Sequence, residues 1–146
     1  MRTPRAAPAL LLAALLLVAA SGSAAALAAF AVTRVELVFP NGRGEITVPL
    51  RYPQLRAFGM LRFSAVGVVR ATWKVDGRIL GPVVEPTVFN EDLIVATPEL
   101  PTFEPGLHKV TLELTDPKPA FKVPTITYFV TAEDYEDFKR RMEKLK

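Results

Sequence analysis

The sequence predicts an all-β protein: an antiparallel sandwich of about seven strands, preceded by a leader and closed by a short amphipathic helix. Three observations carry this. Beyond Thr33 the apolar residues recur at every second position, the period of a half-buried strand. Pairs of turn-forming residues separate these runs at short intervals. No strand pattern alternates with a helix-length segment, which argues against a parallel sheet.

Residues 1–28 read as a signal peptide helix. MRTPRAAPA supplies two arginines, LLLAALLLVAA an apolar run, and SGSAAALAAF small residues with A-x-A sites, so cleavage is expected after Ala26 or Ala28. A retained anchor is the alternative, because no charge occurs between Ala6 and Thr33 and about 20 apolar residues span a bilayer. The leucine-rich part is short and its sequel is weakly hydrophobic, which favours cleavage. In that reading the protein is exported, to the periplasm or the cell surface. The membrane is a partner only if the segment stays uncut.

The strand runs follow in residues 32–131. RVELVF places Val35, Leu37 and Phe39 on one face, and EITVPL places Ile46, Val48 and Leu50. MLRFSAV aligns Leu61, Phe63 and Ala65. VRATWKV sets Val69, Ala71, Trp73 and Val75 against Arg70, Thr72 and Lys74. Asp76-Gly77 then signals a hairpin that folds this strand back onto RILGPVV. HKVTLEL sets Val110, Leu112 and Leu114 inward, and TITYFV ends the series with mixed faces. Trp73, Val75, Val110 and Leu112 are therefore expected in the core. Trp73 shares its face with small and branched residues, as a packed ring does.

Residues 132–146 predict the helix. Thr131 and Asp134 resemble a capping box, with Asp in place of the preferred Glu or Gln. Acids fill the first turns and bases the last, matching the helix dipole. Tyr135, Phe138, Met142 and Leu145 recur at spacings of three, four and three, a narrow apolar seam. These four are the candidate protein-binding residues.

Composition narrows the chemistry. The net charge of +3 falls to +1 once Arg2 and Arg5 leave with the leader, and no basic stripe for nucleic acid remains. The absence of cysteine rules out a disulfide framework and a cysteine-linked lipid anchor. Few Asn and Gln and eleven prolines beyond the leader fit a thermophile, or equally a GC-rich genome. Past residue 28 there is one serine, Ser64, and one histidine, His108, neither on a glycine-framed nucleophile turn. The expectation is no catalytic residue and no enzyme. One histidine and no thiol leave only carboxylates for a metal, and Glu91-Asp92 lacks calcium-loop spacing, so neither metal nor cofactor is expected.

The segment W-x-V-D-G, formed by Trp73, Val75, Asp76 and Gly77, is followed about thirty residues later by P-G-x-H-x-V-x-L. The latter contributes Pro105, Gly106, His108, Val110 and Leu112. This pairing resembles bacterial immunoglobulin-like or fibronectin type III-like modules across Arg34 to Thr131. The resemblance implies that Trp73 sits on the third strand and packs between the sheets, and that the sandwich serves binding or spacing. The chain departs from it in lacking a cysteine pair and in carrying the charged C-terminal helix. The expected function is an exported, non-catalytic module that contacts a protein partner in the bacterial cell envelope, the reasons being the missing catalytic set, the sandwich pattern and the amphipathic tail. A carbohydrate or cell-wall glycan bound by Tyr52, Phe89 and Phe103 is the alternative, and a hydrolase using Ser64 and His108 the third reading.

Overall fold

The computed structural model describes residues 29–146; the signal peptide and its cleavage site lie outside the described residues. These residues form eight strands and one helix: β1 (Val32–Val38), β2 (Glu45–Leu50), β3 (Phe58–Phe63), β4 (Val68–Val75), β5 (Arg78–Pro86), β6 (Leu93–Ala96), β7 (Gly106–Asp116), β8 (Ile126–Asp134) and α1 (Tyr135–Glu143). They build a three-stranded sheet in the order β1-β3-β6 and a five-stranded sheet in the order β2-β8-β7-β4-β5. The fold is an immunoglobulin-like β-sandwich.

The alternation of apolar residues decides which side of each strand meets the other sheet. Val35, Leu37, Leu61 and Val95 face inward from the small sheet; Val69, Trp73, Val75, Val110, Leu112 and Val130 face them from the large one. Trp73 is fully buried, paired with Leu112 of β7 on one side and Gly81 of β5 on the other. Gly81 is small for a reason: a Cβ there would sit 3.0 Å from the Pro98 ring. The hairpin between β4 and β5 forms at Asp76-Gly77, both with positive φ (50° and 78°), as a type I′ turn requires.

The structure corrects four details. The eighth strand, β6, is a four-residue edge piece whose LIVA sequence is too short for its alternation to stand out. β2 and β8 pair in parallel, the one departure from antiparallel order among the described residues. After β1 the chain turns through Pro40–Gly44 and joins the opposite sheet at the free side of β8, so its direction follows from where it crosses. β8 is not mixed: Ile126, Tyr128 and Val130 are all buried, and the Tyr128 hydroxyl donates to the Pro101 carbonyl at 2.7 Å. Finally, the strand runs on to Asp134, so the helix begins at Tyr135 rather than at 132, and it ends at Glu143 rather than at 146. Asp134, not Thr131, is its N-cap, accepting from the Glu136 amide at 3.0 Å.

Candidate functional site

One end of the sandwich gathers the side chains with chemical potential. It is built from the β4–β5 turn, the 97–105 loop, the turn after β2 and the root of α1. Threonines make these connections. Thr102 donates its hydroxyl to the Tyr52 carbonyl at 2.8 Å, and the Arg51 amide returns a bond to the Thr102 carbonyl at 2.8 Å. Thr97 accepts from the Ala57 amide at 3.0 Å. A buried hydroxyl must find such a partner, which is why the 97–105 loop and the turn after β2 close on one another.

Two hollows open between them. One, of about 540 Å³, is walled by Asp76, Arg78, Ile79, Leu80, Phe103, Glu104 and His108. The other, of about 450 Å³, is walled by Arg51, Tyr52, Pro53, Leu80, Glu99 and Phe103. Leu80, Pro101 and Phe103 line both, so the two hollows adjoin in one depressed region of the surface. Ile79 and Phe103 are each 73% exposed, an unusual position for large apolar side chains. A smaller hollow of about 280 Å³ lies apart, on the outer face of the large sheet beside Thr47, Leu107 and Phe129.

His108 is held by both ring nitrogens and by one ring face. It is buried and stacks on the Tyr128 ring at 4.9 Å. Its Nδ1 lies 2.7 Å from Asp76 Oδ2 and its Nε2 lies 2.8 Å from the Glu104 carbonyl. The other Asp76 oxygen accepts from the Lys109 amide at 2.8 Å. Burial by itself pulls the His108 pKa down, but the bonds to Asp76 and Glu104 together outweigh it and hold the pKa above the ordinary value. Burial likewise pushes the Asp76 carboxyl up and is outweighed by the bonds from His108 and Lys109, which hold it low. Burial raises the Tyr128 pKa, with the Asp76 charge adding to it.

The sequence-predicted residues divide between places. Tyr52 and Phe103 meet in one hollow, whereas Phe89 lies beyond the far end of β5. Ser64 and His108 stand near opposite ends of β4, a strand whose eight residues span about 25 Å, so they form no nucleophile–base pair. The Ser64 hydroxyl instead donates to the Ala29 carbonyl at 2.6 Å. Among the described residues no three acidic, histidine or cysteine side chains converge as a metal site, and no helix is long and apolar enough to cross a membrane.

Tyr135, Phe138, Met142 and Leu145 form a graded seam rather than a uniform one. Tyr135 packs edge-on to Tyr52 at 5.5 Å, and Phe138 is half-covered by the Arg141 guanidinium at 5.5 Å. Met142 is 43% and Leu145 74% exposed. The root of the helix is pinned by an ion pair of Arg51 with Asp134 at 2.8 Å, without hydrogen-bond alignment, and by two Arg141–Glu133 bonds of 3.1 and 2.8 Å.

Sequence reasoning missed the partners of His108. Asp76 stands in the sequence as a turn residue, and Glu104 carries no signal at all. The pairing of Val75 with Val110 across β4 and β7 is what brings Asp76 beside His108, and no local spacing encodes it.

These strands and their order place the chain in the immunoglobulin-like β-sandwich class. No family model matches the sequence, and no characterised protein does. Among solved structures the chain is similar to the crystal structure of the CARDB domain of the PF1109 protein from Pyrococcus furiosus, described as in complex with di-metal ions. The TM-score is 0.52 at 10% sequence identity, over 72% of this chain and 94% of that one. At that identity the likeness is one of fold, and the metal ions are a property of that structure.

Proposed function

We propose that this chain is an exported, non-catalytic immunoglobulin-like module that docks onto a protein partner in the bacterial cell envelope, through Phe138 and Met142 of α1 and Leu145 in the turn that follows it. One observation carries the reading: among the described residues no side chain of α1 is buried, although its root is pinned to the sandwich. A helix of nine residues is unstable alone and normally earns its order by burying an apolar stripe. Here the free end of the stripe faces solvent, available to a partner. Support for the non-catalytic reading comes from the separation of Ser64 from His108. The test is capture from envelope extracts by the mature chain, by Met142→Glu/Leu145→Glu, and by a chain ending at Asp134. The expected result is one partner retained by the first and lost from both others, with unchanged folding. Equal capture by all three would remove the helix from the function.

A second reading is a carbohydrate or cell-wall glycan bound in the depression, favoured by Tyr52 and Phe103 lining the same hollow. It expects Phe103→Ala to abolish binding of soluble glycan fragments in calorimetry while leaving protein capture intact.

A further inference from the structure

We infer that His108 is a protonation-operated latch: as an imidazolium it ties Asp76 to the Glu104 carbonyl, and loss of its proton frees the short stretch 103–105, beyond the fixed Thr102, that carries Phe103. Nδ1 faces a carboxylate oxygen at 2.7 Å and Nε2 faces a main-chain carbonyl at 2.8 Å. Both partners are acceptors only. An imidazolium has two N–H donors and satisfies both. A neutral ring has one donor, so either tautomer turns a lone pair toward an acceptor lone pair within 3 Å.

The surroundings also say which contact yields. The bond to ionised Asp76 is charge-assisted and the stronger of the two. Asp76 is further fastened by the Lys109 amide, and its own amide donates to the Lys109 carbonyl at 2.9 Å. Glu104 lies on an exposed loop, and its carbonyl can turn to water. The neutral ring therefore keeps its proton on Nδ1 and lets Glu104 go. Phe103 precedes Glu104 directly and walls both hollows. The latch thus sets whether the depression has a fixed wall.

Every charged group facing the ring favours the closed state. Asp76 approaches from the β4–β5 turn and Glu104 from the loop. Arg78 acts on Asp76, holding that carboxylate ionised. From β8, Tyr128 presents a neutral ring face. The loop is consequently closed on the acidic side of the transition and free on the alkaline side.

His108 is the only histidine in the chain, so its ring signals in a ¹⁵N-histidine sample need no assignment. The folded full-length domain should show both ring nitrogens protonated on the acidic side of the transition, with a midpoint above about 6.5. The amides of Thr102 to Gly106 and the Phe103 ring should shift with the same midpoint. Asp76→Asn should lower the midpoint of ring and loop together, and His108→Gln should abolish the loop transition. The latch is disproved by a ring that titrates at or below 6.5, or by loop signals that stay still while it titrates. A loop transition persisting in His108→Gln would also disprove it. The wild-type titration decides the matter even if a variant fails to fold.

Discussion

Trp73 fills the centre of the sandwich, and its indole Nε1 has no acceptor among the described residues. The ring therefore stabilises by packing alone, against Leu112 and Gly81. Trp73→Ala is expected to cost ~3–5 kcal/mol in chemical denaturation, and native emission should be blue-shifted and shielded from iodide. Red, quenchable emission would place the ring on the surface. At the same scale, the His108–Asp76 pair makes stability depend on pH. The His108 pKa is raised on folding, so its contribution is complete below about 6.5 and is lost as pH rises through the folded value. The Asp76 pKa is lowered, so its contribution is present above about 3.8 and is lost as pH falls through the folded value. Melting temperatures should thus include a plateau between these limits and a decline above it that Asp76→Asn flattens.

The hairpin and the helix behave as separable elements. Gly77 adopts a left-handed φ of 78° with open space where a Cβ would stand, so strain rather than collision opposes a side chain. Gly77→Ala should destabilise by about 1–2 kcal/mol, measured by urea titration, with the sheet retained. For the helix, the boundary matters. A chain ending at Thr131 would lose the pairing of Asp134 with Leu50, whereas one ending at Asp134 keeps the whole strand. Removal of α1 after Asp134 should cost about 1 kcal/mol, the worth of the Tyr52–Tyr135 contact. A collapse of the melting transition in that variant would make the helix a lid on the core and sink the docking proposal. The narrow spacing of the seam was legible in the sequence. Its gradient, from a covered Tyr135 to a free Leu145, was not, because Tyr52 and Arg141 supply the cover.

For the whole molecule, the proposed export predicts a mature chain beginning near Leu27 or Ala29. The domain is compatible with either start: the Ala29 carbonyl is held by Ser64, and Phe30 stacks on Phe63 at 5.2 Å. Mass spectrometry of the exported protein checks this, and an intact membrane-retained chain would replace cleavage by anchoring. The sequence by itself determined the sandwich class, the inward faces of most strands, the Asp76-Gly77 hairpin and the burial of Trp73. These depend on local alternation and turn chemistry, which neighbouring residues encode. Only the tertiary structure decided the parallel seat of β2, the short strand β6, the extension of β8 to Asp134 and the meeting of His108 with Asp76 and Glu104. Those follow from register and from the free edges of sheets, long-range choices settled when two apolar faces close on one another.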